Sequence, residues 1–539
     1  MDYFIEVKLT MKTSKFWKKQ EKEIIIHGSK MNIIESCVDR HAGNLELKNK
    51  VALSFEDEKS TIKEYTYWEL EKEVNRFANL LKTKYNVKKG SRIAFFLPKC
   101  PESYTGFLGT IKSGCIAMPL FEAFQEQGLD LRLQRGDVNV IVTTKKLAKR
   151  ISKKSRKLKT LKNIVLIDSW KHKRQLKKQS EEFKPVLVDK NQTAMMIFTS
   201  STAGTPVAGI EISHYALVQQ HYTGHAVLGL NNKSKYWCTA HPGWVTGSVY
   251  GIVSPLSIGA SIYVLEGRFN SKTWISFLKK NKISVLYTAP TALRLLKGEI
   301  KKLDLKQLKT LGSVGEALTK TTYDFYKKLG VEINDTYWQT ETGAIVIATM
   351  QGEKRKRGTI GKAVKGINVQ VKNKVIVIEK PWPAMMTGIY KHEKMYKDYF
   401  DGKWFKTNDL AKKDKQGFFY FEGRHDDIIK TSGERVSPIE IESILMKHSA
   451  VKEAAVIGIP DKIRGSILKA FIILNSKVKN KKDKKSDEQL QKDIGMFVKK
   501  NYAGHAYPKQ VEFVSELPKT NSGKIIRMKL REDELKKSK

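Results

Sequence analysis

Residues 335–343, Asp-Thr-Tyr-Trp-Gln-Thr-Glu-Thr-Gly, crowd hydroxyls, an amide, carboxylates and an indole into one short stretch. Such groups can serve a phosphate or a metal ion if something rigid aims them. The flanking segments Gly-Val-Glu-Ile-Asn and Ala-Ile-Val-Ile-Ala both read as buried strands, which would supply that rigidity. A second stretch, Thr199-Ser200-Ser201-Thr202-Ala203-Gly204-Thr205-Pro206, follows the apolar run 193–198. A strand running into a small, hydroxyl-rich, Gly-containing loop frees backbone N–H groups to hold phosphate oxygens. A third, Leu517 to Ile525, places Lys524 after Gly523 on a Pro/Thr/Ser/Gly loop, an exposed ammonium. Taken singly, each has a plainer reading: a core indole at Trp338, Ser/Thr turns at 199–206 and 340–342, one solvated lysine among many.

The elements that must position these groups follow from length and pattern. At 539 residues the chain passes the roughly 250–300 residues at which a single core stops growing, so at least two domains are expected. Apolar runs 50–55, 92–97, 114–118, 138–142, 193–198, 260–265, 283–287 and 311–314 alternate with helical periodicity such as Leu70, Val74, Phe77, Leu80 and Leu81. That rhythm predicts parallel α/β layers, with ligands at the carboxyl ends of the strands. The segment 144–185 reads as a charged connection. Residues 359–425 shift to short alternating strands, a smaller β-rich subdomain, and 437–535 read as a compact α+β unit. The first 30 residues are basic and without clear period.

Composition excludes several classes. No run of about 18 apolar residues predicts a membrane-spanning helix, and the N-terminus lacks the order of a signal peptide. Cys37, Cys100, Cys115 and Cys238 are scattered, without CxxC spacing, which fits a reducing, cytoplasmic setting. The net charge of +43 comes from lysines spread over nearly every surface segment, with no nucleic-acid-binding signature among them, so no nucleic-acid partner is expected.

Together these stretches resemble the acyl-adenylate-forming superfamily of acyl-CoA synthetases, most closely its AMP-forming acetate–CoA ligases. Thr199–Pro206, Ser313–Glu316, Tyr337–Gly343, Gly417–Arg435 and Pro518–Lys524 match family motifs in the family's order, and Trp237–Gly247 and Pro119–Phe124 resemble the acetate-type branch. The resemblance implies a large α/β N-terminal domain over 31–425 with a β-rich subdomain, preceded by a basic extension, 1–30, and followed by a mobile α+β C-terminal domain, 426–539. It implies a ligase that joins acetate to ATP as acetyl-adenylate with loss of pyrophosphate, then hands the acetyl group to CoA. ATP, Mg2+ and CoA are the implied cofactors and substrates. A synthetase for propionate or another short acid, and a degenerate nucleotide-binding pseudoenzyme, are the alternatives.

Residue by residue, the resemblance makes Lys524 the adenylation lysine, with Thr340 and Glu341 handling phosphate and Mg2+. Thr199, Ser200, Ser201, Thr202 and Thr205 fall in the phosphate loop. Gly315, Glu316 and Ala317 fall at the adenine, and Asp335, Thr336, Tyr337, Trp338 and Gln339 wrap the nucleotide. Asp409 is implied at the ribose, with Arg424 nearby and Arg435 facing phosphate. Val245, Thr246, Val314 and Trp338 match the lining of the acetate-type pocket, where a broad indole excludes longer chains. Thr246, Ser432, Arg132, Asn270 and Lys499 match CoA contacts, and Asp426 the hinge. Met446, His448 and Val451 match a structural cation site of backbone carbonyls. Lys524 also matches a lysine acetylated in relatives, which implies an acetyltransferase and a deacetylase as partners. The chain departs from the family at Ser201, Ala203 and Val207–Ala208, where the phosphate loop usually has Gly, Thr and Lys. Asn408 stands where the family has Gly, and residues 371–381 read as shortened by a deleted hairpin.

Overall fold

Runs such as Arg92–Leu97 (Arg-Ile-Ala-Phe-Phe-Leu) have no polar face to give to water, so they pair inside sheets covered on both sides. The computed structural model describes residues 15–199, 208–315, 318, 320–424, 429–431, 434–436, 438–461, 463–475, 486–504, 506–518, 525 and 527–537. Two seven-stranded sheets form the body. The first runs, edge to edge, through Gly388–Ile389, Ala208–Ser213, Thr193–Thr199, Ile116–Phe121, Arg92–Leu97, Val140–Thr143 and Asn163–Leu166. The second runs through Ile333–Asp335, Thr310–Ser313, Val285–Thr288, Lys235–Cys238, Ser261–Leu265, Val51–Glu56 and Ile62–Thr66. Apart from the antiparallel partners Gly388–Ile389, Ala208–Ser213 and Ile62–Thr66, their strands are parallel.

Helices cover the sheets for local reasons. Tyr67–Thr83 starts on a capping box, in which the Thr66 hydroxyl accepts from the Glu69 N–H and the Glu69 carboxylate accepts from the Thr66 N–H. Its buried stripe of Leu70, Val74, Phe77 and Leu81 is the 3.6-residue period expected from the sequence. The β-rich subdomain is a five-stranded antiparallel sheet built on Trp404–Lys413. The C-terminal unit is the three-stranded sheet Val451–Asp461, Gly465–Leu474 and Gln510–Phe513, with helices Pro438–Leu445, Asp487–Asn501 and Arg527–Lys537. It meets the body where Phe124 bridges Ala503, Arg294 Nε donates to the Ile463 carbonyl at 2.9 Å, and Phe124, Leu129 and Leu133 share an apolar cluster with Ile494, Val498 and Tyr502.

Three expectations change, and one segment gains detail. The connection 144–185 holds the edge strand Asn163–Leu166 and the helix Trp170–Lys177. The strand expected over 344–348 shrinks to Ile347–Ala348, because the Ile345 N–H turns away to the Tyr250 hydroxyl. Within the segment read as shortened, 371–381, the chain turns tightly: Val369–Lys372 and Val375–Glu379 pair and close through Asn373 and Lys374, both with positive φ, the geometry of the tightest hairpin turns. Residues 15–21 form a helix that plants Trp17, 2% exposed, in the main core, where its Nε1 donates to the Gly366 carbonyl and its ring packs edge-on against Tyr222.

Candidate active site

Strands Val285–Thr288, Thr310–Ser313 and Ile333–Asp335 run parallel in adjacent register, so their carboxyl ends deliver Tyr287, Ser313 and Asp335 to one place. The Ser313 hydroxyl donates to Asp335 Oδ1 at 2.5 Å, and burial pushes the Asp335 carboxyl up to about 7. Thr336 returns the contact by donating its N–H and its hydroxyl to the Ser313 carbonyl, at 3.0 and 2.8 Å. Gly315 follows with φ +94°. Strand ends and loop are therefore locked together by the protein's own bonds.

Beyond Thr336 the side chains alternate between two tasks. Tyr337 donates its hydroxyl to Asp409 Oδ2 at 2.7 Å, and Gln339 Nε2 donates to the same oxygen at 2.5 Å and to the Thr407 carbonyl at 2.9 Å. These bonds fix a fully buried carboxylate opposite the loop. The preceding Asn408 has φ +57°, a left-handed conformation that asparagine tolerates better than other side chains, so the exchange of Gly for Asn keeps the backbone turn. Arg424 lies on the strand paired with Asp409, and Arg435 pairs with Lys430.

Thr340 and Glu341 sit at the turn of the loop, 6% and 7% exposed. Glu341 Oε1 accepts from the Tyr399 hydroxyl at 3.1 Å, while Oε2 is buried with no hydrogen-bond partner among the described residues. A buried carboxylate oxygen without a hydrogen-bond partner is a hard donor of the kind that a magnesium ion takes, so Glu341 fits the metal that would accompany a nucleotide. The loop is fastened from behind. Gln220 Nε2 donates to the Gly343 carbonyl, Gln219 Nε2 to Ile345, Trp382 Nε1 to Thr342 and the Met386 N–H to Glu341, all between 3.0 and 3.1 Å. At Gly343, φ is +68° and an added Cβ would lie 1.9 Å from the Ala384 carbonyl oxygen, so only glycine fits.

Trp338 points the other way. It shares one apolar cluster with Val314 and Val245, and its ring meets Tyr250 edge-on at 5.0 Å. Val245 and Thr246 begin the short helix Val245–Ser248, and the Cys238 thiol lies 3.9 Å from the Thr246 carbonyl. Val245, Val314 and Trp338, read as a pocket lining, thus come from three elements that share one cluster, and Thr246 follows Val245 on its helix.

The remaining expected groups are dispersed. Arg132 is 2% exposed, with its guanidinium 3.8 Å above the Phe124 ring and NH1 donating to the Gly128 carbonyl. Asn270 is exposed and caps the helix Ser271–Lys280 by accepting from the Thr273 N–H. Lys499 lies over the Tyr507 ring at 5.3 Å. Past Pro438–Leu445, the His448 carbonyl accepts from the Val451 N–H, and the His448 ring meets Phe497 edge-on, with Met446 half exposed. Among the described residues no group of three or more His, Cys, Asp or Glu could hold a metal ion. Ser200, Ser201, Thr202, Thr205, Glu316, Ala317, Asp426, Ser432 and Lys524 lie outside the described residues, and Thr199 closes its strand. Sequence pattern missed Tyr399, Tyr287, Tyr250, Gln219 and Gln220, each a single polar group in an otherwise ordinary strand, helix or turn.

The family signature described as "AMP-binding enzyme" matches residues 40–377, and "AMP-binding enzyme C-terminal domain" matches 440–524. The chain is 39% identical to an acetyl-coenzyme A synthetase of Bacillus subtilis, over 94% of this chain and 91% of that protein. It is 34% identical to one of Methanothrix thermoacetophila, over 93% and 82%. Among solved structures it resembles a Brucella canis acyl-CoA synthetase (TM-score 0.70, 29% identity, 97% and 98% of the two chains). It also resembles an anthranilate CoA ligase in complex with anthranoyl-AMP (TM-score 0.69, 26% identity, 94% and 98%). No helix among the described residues is long and apolar enough to cross a membrane. With more than half of its length under the first signature and relatives above 30% identity over most of both chains, the protein belongs to the AMP-binding enzyme family, in its acyl-CoA synthetase branch.

Proposed function

We propose that the protein is an AMP-forming acetate–CoA ligase. In the first half-reaction a carboxylate oxygen of acetate attacks the α-phosphorus of ATP, and the bond to pyrophosphate breaks. In the second the CoA sulfur attacks the acyl carbon and AMP leaves. The observation that carries the acid's identity is Trp338: a buried indole, held on two sides, closes an apolar cluster beside the Thr340–Glu341 turn. In this reading a wall there admits a methyl group and disfavours a longer chain, and one extra methylene in a tight apolar pocket changes selectivity by about 1–3 kcal/mol.

In this reading Asp409, held by Tyr337 and Gln339, takes the ribose hydroxyls, with Arg424 and Arg435 near the phosphates. Thr340 orients phosphate oxygens, and Glu341 holds Mg2+, which when bound screens the phosphate charge. Lys524 supplies the cation between acetate and the α-phosphate. Gly315, Glu316 and Ala317 border the adenine, and Thr199, Ser200, Ser201, Thr202 and Thr205 the leaving phosphates. Thr246, Ser432, Arg132, Asn270 and Lys499 serve CoA after a turn about Asp426, and Met446, His448 and Val451 ring a structural cation. The compartment is the cytoplasm, and Lys524 is the site at which an acetyltransferase and a deacetylase would act.

Acid-dependent exchange between pyrophosphate and ATP tests the proposal. Exchange with acetate, and AMP formation once CoA is added, are expected; no exchange with any acid of two to four carbons overturns it. The altered phosphate loop favours one competing reading, a nucleotide-binding pseudoenzyme, whose signature is ATP binding without exchange.

A further inference from the structure

Behind Trp338 a chain of hydroxyls runs to the nucleotide side of the site. Trp338 Nε1 donates to the Tyr287 oxygen at 3.2 Å, Tyr287 and Thr336 share a hydrogen bond of 2.7 Å, and the Thr336 hydroxyl lies 2.8 Å from the Ser313 carbonyl. One assignment satisfies every group. The indole N–H has no acceptor role, and the Ser313 carbonyl no donor role, so the protons must run head to tail from Trp338 to Tyr287 to Thr336 to Ser313. All four residues are at most 6% exposed, so the indole N–H cannot fall back on water.

The tyrosine ring has a seat made for it. Tyr287 lies opposite Gly312 in the parallel ladder, and a Cβ at Gly312 would come within 2.6 Å of Tyr287 Cδ2. Tyr250 fills the other side, with its ring 5.7 Å from Tyr287 and 5.0 Å from Trp338. It is itself pinned, its hydroxyl sharing a bond with Thr223 and accepting the Ile345 N–H. The indole is thereby left one position: its edge tied to Tyr287 and its flank pressed on Tyr250.

We propose that Tyr287 is a specificity-determining positioning residue: its hydroxyl holds the Trp338 indole across the acyl pocket and so sets the length of acid accepted. This rests on the reading of Trp338 as the pocket wall. Because the same chain ends on the Ser313 carbonyl, which also receives the Thr336 N–H, pocket depth and the nucleotide-wrapping backbone are set by one series of bonds. A residue that only stabilised the fold would lower activity on all acids equally.

The test compares kcat/KM for acetate, propionate and butyrate in wild type, Tyr287→Phe, Gly312→Ala and Trp338→Gly. Tyr287→Phe removes the hydroxyl alone, and Gly312→Ala displaces the ring while keeping it. Each is expected to raise the propionate-to-acetate ratio by roughly 5- to 20-fold, a part of the 10- to 200-fold that a methylene commands in a tight pocket. The ratio is independent of how much of a variant is folded, so a poorly yielding Tyr287→Phe still reports. Trp338→Gly is expected to open the pocket to butyrate. Ratios within twofold of wild type in Tyr287→Phe and Gly312→Ala, with butyrate accepted by Trp338→Gly, overturn the role of Tyr287. Failure of Trp338→Gly to take longer acids overturns the pocket reading itself.

Discussion

Replacing Tyr399 by Phe removes one hydroxyl and leaves the ring, which stacks on Phe405 with an interplanar angle of 2°. The lost bond is the 3.1 Å contact to Glu341 Oε1. Hydrogen bonds to charged groups contribute about 1.5–3 kcal/mol, and the half-buried position of Tyr399 argues for the lower end. About 1.5 kcal/mol corresponds to about a tenfold change in an equilibrium constant. With Oε1 taken by Tyr399, Oε2 is the oxygen left for a metal; without the phenol, the carboxylate is free to rotate and both oxygens compete. The expected outcome is about a tenfold rise in the Mg2+ concentration that half-saturates ATP–pyrophosphate exchange, with KM for acetate within about twofold of wild type. Binding of Mn2+ with ATP, followed by paramagnetic resonance, should weaken in parallel without turnover. If both metal dependences stay at their wild-type values in a folded Tyr399→Phe enzyme, Tyr399 does not position Glu341 and the argument from the lone Oε2 fails.

The other expected outcomes concern stability. His214 and His241 are buried and held neutral, both pushed by burial down to about 3. His241 accepts the Gly243 N–H at Nδ1 and so keeps its proton on Nε2 toward the Leu97 carbonyl. Their folded values lie below the unfolded 6.5, so this stability is complete above pH 6.5 and falls away as pH drops toward 3. At pH 5 the loss is at most roughly 2 kcal/mol for each, and a urea midpoint unmoved between about pH 7.5 and 5 would contradict it. Gly343→Ala forces a Cβ onto the Ala384 carbonyl and should cost at least about 2 kcal/mol, together with exchange activity. Trp17→Ala should lower stability by about 3–5 kcal/mol in denaturant titration, and a change below about 1 kcal/mol would show that the N-terminal helix only rests on the surface.

Strands of continuous apolar residues were legible because their burial leaves no alternative period. Arg92–Leu97 has the bounds expected, and Ser261–Leu265 and Thr193–Thr199 differ by one residue. Asn163–Leu166 hid among lysines, and Ala208–Ser213 carries Gly209 and Glu211, neither with any strand propensity; sheet pairing overrides both. The helix Lys15–Glu21 has too few turns to be stable alone and exists because Trp17 finds a core made far later in the chain, at Tyr222 and Gly366. In the site, the motif 335–343 announced itself, since its residue types cluster in sequence. The groups that aim it did not. Tyr399, Tyr287 and Gln220 reach Glu341, Trp338 and Gly343 only through the tertiary fold, and a lone tyrosine in a strand carries no signal of what it will touch.

The carbonyls of Glu341, Thr342, Gly343 and Ile345 are each bonded from behind. Ordering a backbone costs about 1–2 kcal/mol per residue, and here that cost is met once, during folding. A nucleotide arriving at this loop therefore meets a finished template, and the entropy lost on binding is the ligand's own. Catalytic cycling leaves this wall thermodynamically silent, so a calorimetric signature of loop ordering should be missing from nucleotide binding at this face.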